Sequence, residues 1–459
     1  MSQDKYDIII IGSGQGGNPL AGALAKAGWR VALVEKRYLG GTCVNYGCTP
    51  TKVMVSHAKV AWHTKNASKY GVETSDTHVD LSAIRERRRS VVEQWRSGVA
   101  KGLDSLEYVE VIMGEASFRD ANTILVKLNT GGERLLWGEK IVVNTGARSY
   151  VPPIKGLEAV PYLDNETIME LDEVPEHLVI IGGGYISLEF GQMFRRFGSD
   201  VTIIEKASQM VPKEDRDIAN TLRSILEEDG IAVLCSSEVT SVTTSSEQKM
   251  TLEVDSPEGA KSITASHLLV AVGRTPNTDM LNLESAGVKT TTRGQIIVDD
   301  YLATSVEGIY AIGDVKGGPA FTHVSYDDYR ILRDIFLHQK ERSVTDRLLV
   351  YTLFTDPQLG RVGLNEDQAT EKGLKFMVHK MPMNRVARAY EMAEDRGLVK
   401  ALVEVETDKI LGASVLGVEG GEIMAMIQIA MMGELTATQL REGMFAHPTF
   451  AEGLNNLFA

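Results

Sequence analysis

One pattern occurs twice in this chain and restricts its fold more than any other feature. Tyr6-Asp-Ile-Ile-Ile-Ile-Gly12-Ser-Gly14-Gln-Gly16-Gly17 opens the first copy, and His177-Leu-Val-Ile-Ile-Gly182-Gly183-Gly184-Tyr185-Ile-Ser187-Leu-Glu189 opens the second. Each reads as a buried strand, a glycine turn and a helix, about residues 18–27 and 188–197. A further strand then ends in a carboxylate, Glu35 after 30–34 and Glu205 after 200–204. In such a βαβ unit the first glycine (Gly12, Gly182) permits the tight turn and the second (Gly14, Gly184) lets the backbone approach a pyrophosphate. The third, Gly17, lets the helix touch the strand. The helix N-terminus favours the phosphates, and the closing carboxylate can accept ribose hydroxyls. The pattern predicts two dinucleotide sites, against the competing reading of a purely structural turn. Ser187 stands at the third glycine position of the second copy, which predicts slightly looser packing there.

At 459 residues the chain exceeds the size at which single cores stop growing, so two or three domains are expected. A formal net charge of −14 argues against a nucleic-acid partner, whose binding relies on cationic side chains. The basic run Arg85–Arg89, interrupted by Glu86, reads as a solvated helix face. Met1 to Tyr6 lacks the cationic, apolar and small-residue succession of a signal peptide, and no apolar run reaches membrane-spanning length. Three cysteines are too few for a structural disulfide framework, so a reducing compartment, by default the cytoplasm, is expected.

Two of those cysteines are separated by four residues in Gly40-Gly41-Thr42-Cys43-Val-Asn-Tyr46-Gly-Cys48-Thr49-Pro50-Thr51-Lys52. At a helix start this gap lets the sulfurs meet, and the helix N-terminus depresses a thiol pKa, which suits an exchangeable disulfide. Metal binding competes with that reading. Structural zinc, however, takes four ligands, and no second cysteine pair or nearby histidine cluster is present, so no metal site is expected. Cys235, at the end of Ile231-Ala-Val-Leu-Cys235, reads as a buried small hydrophobe.

With these motifs the sequence resembles the pyridine nucleotide–disulfide oxidoreductases, the group that contains dihydrolipoamide dehydrogenase, glutathione reductase and mercuric reductase. The resemblance spans essentially the whole chain. It also rests on Asn144-Thr145-Gly146, Val272-Gly273-Arg274-x-Pro276-Asn277, Ile312-Gly313-Asp314 and His447-Pro448-Thr449-x-x-Glu452. It implies an α/β fold with two Rossmann-like domains and a C-terminal α+β dimerisation domain. The expected divisions are an FAD domain over 1–148 and 280–342, a nicotinamide domain over 149–279 and a dimerisation domain over 343–459. A homodimer with an active site shared between subunits follows, and the apolar helix 423–432 reads as core or subunit interface.

The resemblance also implies residue roles. Gly12, Gly14, Gly17 and Glu35 would hold the FAD pyrophosphate and ribose, with Thr42, the backbone near Ala116, and Gly146 in contact. Asp314 would bind the ribityl chain, and Thr322 would lie near the isoalloxazine. Lys52 would approach the flavin and pair with Glu189. Gly182, Gly184, Glu205 and Gly273 would hold the nicotinamide nucleotide, and Tyr185 would cover its pocket when empty; as an isolated aromatic, Tyr185 reads equally as core. Cys48 would face the flavin, Cys43 would be the interchange thiol, and His447, oriented by Glu452, would move protons.

A carboxylate at Glu205 repels a 2′-phosphate, which favours NADH, while Lys206 and Lys213 leave NADPH open. The cysteine surroundings, Thr322-His323-Val324 and Asn455-Asn456-Leu457-Phe458 resemble the mercuric-reductase-like branch, including relatives that handle copper ions or reactive chlorine and thiocyanate oxidants. No cysteine follows Cys235, so the C-terminal vicinal pair of mercuric reductases is missing and efficient mercury reduction is not expected. A lipoamide or glutathione-type reductase is the alternative, and a flavin NADH oxidase or transhydrogenase, which needs no cysteine pair, is the alternative of another class. The expected acceptor is a small disulfide, soft metal ion or oxidant.

Overall fold

In the computed structural model, which describes residues 3–244 and 249–459, the isoleucine run becomes the centre of a sheet. Met1 and Ser2, on which the reading of the N-terminus partly rests, lie outside the described residues. The strand Gln3–Ile11 pairs in parallel with Val31–Glu35 on one side and Glu133–Val143 on the other. Ile8, Ile9 and Ile10 are wholly buried, as a strand covered on both faces requires. Val109–Phe118 extends the sheet in parallel beyond Val31–Glu35, and Ile309–Ala311 pairs in parallel with Glu133–Val143. Thr123–Leu128 runs antiparallel to both Val109–Phe118 and Glu133–Val143. The helix Gly17–Lys26 buries Leu20, Ala21 and Leu24 in the core that also takes Ile331 and Leu332 of the helix Thr322–His338.

The second copy builds a four-stranded parallel sheet in the order Ile231–Leu234, Asp200–Ile204, His177–Ile181, His267–Val270. Its helix Tyr185–Phe197 buries Leu188, Phe190 and Phe194. A three-stranded antiparallel sheet, Glu238–Thr244, Met250–Ser256 and Gly259–Ala265, follows. The C-terminal region forms a five-stranded antiparallel sheet in the order Val350–Leu353, Gln358–Gly363, Ile410–Gly417, Leu398–Glu404, Phe376–Pro382, on which the helix Gly420–Met432 packs. The α/β architecture with two Rossmann-like sheets and an α+β C-terminal region is the one expected.

The chain divides into two compact units. One comprises Met1–Val53, Arg85–Tyr150 and Gly273–Arg347; the other comprises Met54–Ile84, Val151–Val272 and Leu348–Ala459. Among the described residues no helix is long and apolar enough to cross a membrane. Two local readings need correction. Arg88, inside the helix Leu81–Asp104, is buried, while Arg87 and Arg89 are exposed, because a helix carrying apolar residues at 81, 84 and 92 turns position 88 toward the same side. Cys235 follows its strand and is half-buried against the core rather than enclosed by it.

Candidate functional site

Each glycine turn is shaped by contacts that forbid side chains. Gly12 has φ +103°, and a Cβ there would stand 2.4 Å from the Asn144 carbonyl oxygen; at Gly17 it would stand 2.3 Å from the Gly12 oxygen. The Asn144 amide donates to that same Gly12 oxygen at 3.2 Å. Glu35 accepts from the Ser13 N–H at 3.0 Å and from the Ser13 hydroxyl at 2.9 Å, so the carboxylate ends against the turn. In the second copy Gly182 has φ +107° and Glu205 accepts from the Gly183 N–H at 2.5 Å and the Ala207 N–H at 2.6 Å. Ser187 is fully buried, its hydroxyl 3.5 Å from the Ala271 oxygen, so the third position here does accommodate a small side chain. At Gly184, Gly146 and Gly273 a Cβ would meet open space. In the second copy Gly184 faces open space at a helix N-terminus, with Glu205 closing the strand beyond it, and this fits the pyrophosphate and ribose of a dinucleotide; the first copy has the same helix N-terminus and closing carboxylate, Glu35, with its glycines in close contact.

The cysteine segment rests on the first turn. Gly41 has φ +63°, and a Cβ there would lie 2.6 Å from the Gly14 Cα. A short helix, Gly41–Asn45, carries Thr42 and Cys43, and the helix Cys48–Lys65 begins at Cys48, with Lys52 half-buried on its second turn. Asn45 donates to the Leu39 and Gly41 oxygens at 3.0 and 2.9 Å and accepts from Arg96 Nε at 2.9 Å. The Arg96 guanidinium lies 3.9 Å from the Tyr38 ring centre, and that of Arg37 lies 4.7 Å from the Tyr46 ring centre. Sequence reasoning missed Asn45 and Arg96, and quoted Asn144 in a motif without giving it a role. Asn45 sat unremarked inside the motif, whereas Arg96 lies in a charged helix whose period gives no hint of a buried partner.

The two cysteines are not bonded to each other in the structure; Cys48 is exposed and Cys43 half-buried. Cys48 Sγ lies 3.0 Å from Thr322 Oγ1, at the first residue of the helix Thr322–His338. A hydrogen bond to Cys48 and then burial push the Cys43 thiol far up, against the opposing influence of Thr322 and of the backbone at Cys48. A thiol raised in this way needs a base to take its proton before it can act as a nucleophile. Asp314 sits half-buried in the turn Gly313–Lys316, with Arg274 Nε 3.5 Å away. Burial raises its carboxyl above the usual range, and Arg274 and Lys316 oppose this. Ala116 is buried near the end of Val109–Phe118, paired with Val126.

Cys43, Cys48, Lys52, Asp314 and Thr322 belong to the first unit; Tyr185, Glu189, Glu205, His447 and Glu452 belong to the second. Glu189 is buried and accepts from the Phe354 N–H at 2.9 Å. Tyr185 opens its helix half-buried, with its ring 5.3 Å from that of Tyr351. His447 is exposed, and its Nδ1 lies 2.8 Å from Glu452 Oε2. A carboxylate only accepts, so Nδ1 carries the hydrogen and Nε2 is the nitrogen available to exchange a proton. Asp215, Asp217 and Glu366 converge, but the Lys400 ammonium lies among them, 2.8 Å from Asp215 and 3.0 Å from Asp217.

The model of the pyridine nucleotide-disulphide oxidoreductase family matches residues 6–328, and the model of that family's dimerisation domain matches residues 350–458. The chain is 40% identical over 460 residues to the probable pyridine nucleotide-disulfide oxidoreductase RclA of Escherichia coli strain K12, covering 99% of each. It is 36% identical to the mercuric reductase of Staphylococcus aureus over 98% of this chain and 81% of that one. It superposes with TM-score 0.90 and 38% identity on the Cu(II) complex of the HOCl-induced flavoprotein disulfide reductase RclA from Escherichia coli, covering 100% of this chain and 99% of that one. The chain belongs to the pyridine nucleotide-disulphide oxidoreductase family and is an FAD-dependent enzyme that passes electrons between a pyridine nucleotide and a disulfide or oxidant.

Proposed function

We propose that this enzyme uses NADH to reduce the Cys43–Cys48 pair, and that the pair reduces a small disulfide, a soft metal ion or a reactive oxidant in the manner of the mercuric-reductase-like branch. The observation that carries the reading is Cys48 Sγ within 3.0 Å of Thr322 Oγ1, on a segment pressed against the first glycine turn. When bound, FAD supplies hydride acceptance from the nicotinamide and delivery of an electron pair to the cysteines. Gly12, Gly14, Gly17, Glu35, Thr42, Ala116, Gly146, Asp314 and Thr322 would hold it, with Lys52 beside it. Gly182, Gly184, Tyr185, Glu205 and Gly273 receive the nicotinamide nucleotide. Glu205 favours NADH because its charge repels a 2′-phosphate.

On a disulfide acceptor, His447 Nε2 takes the proton of the Cys43 thiol, whose sulfur attacks one acceptor sulfur to form a mixed disulfide, and returns that proton to the other sulfur, which leaves as a thiol. Cys48 thiolate then attacks Cys43 Sγ, which re-forms the internal disulfide and expels the second thiol. Glu452 keeps His447 in the tautomer that serves both transfers. A copper or mercuric ion would instead be held by both thiolates before reduction. The domain division is 1–148 with 280–342 for FAD, 149–279 for the nicotinamide nucleotide and 343–459 for dimerisation. The enzyme works in the cytoplasm as a homodimer in which His447 serves the partner subunit's cysteines, and the exposed Ile429 and Met432 of the helix Gly420–Met432 support such a contact.

Anaerobic titration with NADH and separately NADPH, followed by lipoamide, glutathione disulfide, Cu(II), Hg(II), hypochlorous acid and hypothiocyanite, tests this. Two new thiols per chain after NADH, and rapid reoxidation by one acceptor class, are expected. Flavin bleaching without new thiols would overturn the reading in favour of an oxidase.

A further inference from the structure

Glu214 is a buried carboxylate that the reaction as described does not use. It closes the loop that follows Glu205, and that loop is held in an uncommon shape: Val211, β-branched and buried, has φ 41° and donates its N–H to the Gly183 oxygen at 2.9 Å. A β-branched residue at positive φ is a genuine outlier that surrounding contacts must enforce. The loop thereby joins the glycine turn to Glu214. Three donors meet there. Arg361 Nη1 binds Oε2 at 3.0 Å, with both side chains buried. Tyr351 and Tyr185 both donate to Oε1, Tyr351 through a very short hydrogen bond and Tyr185 at 3.2 Å. Tyr351 and Arg361 are directly opposed residues of paired antiparallel strands, so one cross-strand pair fixes the carboxylate. Burial and then the charge of Glu214 push both tyrosine hydroxyls up, so both remain donors.

We propose that Glu214, fixed by Arg361 and Tyr351, is a latch that holds Tyr185 over the nicotinamide pocket and so sets how tightly the nicotinamide half of the nucleotide binds. The proposal rests on Tyr185 being that cover. The three bonds are unequal, and the inequality gives the latch its use. Tyr185 has the longest bond and sits at the edge of the network, on the first residue of its helix. When it swings away, Glu214 keeps Arg361 and Tyr351, so no buried charge is left alone, and opening costs the hydrogen bonds of one neutral hydroxyl, to Glu214 and Tyr351. An enzyme whose competent form is only a fraction of the population binds more weakly by that fraction. Glu214, Tyr351 and Arg361 are thus positioning residues acting through Tyr185.

The test compares two ligands on the FAD-loaded protein by calorimetry: NAD+, which must displace the cover, and ADP-ribose, which shares its pyrophosphate and ribose but lacks the nicotinamide. Tyr185→Phe keeps the ring and deletes the latch, so the Kd for NAD+ falls by roughly three- to tenfold while that for ADP-ribose stays put. If Tyr185→Phe leaves NAD+ binding unaltered, or if both ligands shift together, the latch is wrong. Tyr185→Ala separates the two ideas. A changed ratio of the two Kd values in the alanine variant but not in the phenylalanine variant keeps the cover and discards the latch; an unchanged ratio in the alanine variant discards the cover itself.

Discussion

The glycines at the two turns do different work at the level of single atoms, and substitution separates it. A Cβ at Gly17 meets backbone that cannot move away. Gly17→Ala should therefore lower stability by about 1–3 kcal/mol, read as a shift in the urea midpoint. Gly184 faces open space and has φ −84°. Gly184→Ala should leave that midpoint where it was and weaken NAD+ binding, because the methyl group occupies the place of the pyrophosphate. Thr322 gives a third measurement. Its hydroxyl reaches Cys48 Sγ, so Thr322→Val in a Cys43→Ser background should slow alkylation of Cys48 at pH 7 by roughly tenfold, the worth of one hydrogen bond to a charged sulfur. An unchanged rate would mean that the hydroxyl does not stabilise the thiolate. Glycines and cysteines announce themselves in the sequence because their chemistry is local. Thr322 was placed near the flavin by resemblance alone, and its contact with Cys48 joins positions 274 residues apart, a distance that no spacing argument crosses.

Among the elements, the helix Tyr185–Phe197 carries the strongest conflict between burial and charge. Arg196 is buried and bonds Asp356 Oδ2 at 2.7 Å, and Lys59 Nζ lies 3.5 Å from the same carboxylate. Burial alone would raise the Asp356 pKa, but Arg196 and Lys59 bring it below its usual 3.8. A carboxyl whose folded value is depressed adds stability above the unfolded value and loses it as pH falls through the folded one. The unfolding free energy should therefore drop below about pH 4. Asp356→Asn should cost about 3 kcal/mol at pH 7 and flatten that acid limb, as equilibrium unfolding at several pH values would show; an equally steep limb would assign it to other carboxylates. The strands and helices of both repeats were legible because their isoleucine and valine runs alternate with glycine turns. The Glu214 cluster was not, since a buried ion pair leaves no periodic mark and its partners arrive from distant strands.

For the molecule as a whole, the helix Gly420–Met432 buries Ile423, Met424 and Ile427 while leaving Ile429 70% and Met432 68% exposed. A helix that is apolar on its outer face as well as its inner one calls for a second surface. Ile429→Lys should convert the dimer into monomer in sedimentation velocity and abolish acceptor reduction, with flavin retained. Loss of activity in an intact dimer would deny His447 its place in the partner's site. The family and the fold class were readable from motifs spread along the whole chain, whereas the assembly could be inferred only through resemblance, because an exposed apolar face reads in sequence like an ordinary core helix.

The close approach of Gly41 to Gly14, where a single methyl group would lie 2.6 Å from backbone, has a bearing on how such enzymes diversify. The cradle and the reactive segment are wedged together, so neither can be exchanged for a homologous piece without disturbing the other. New acceptors must then be acquired through side chains that border the segment without supporting it. Tyr46 and Thr49 are the places where a library aimed at altered acceptor preference would spend its diversity to best effect.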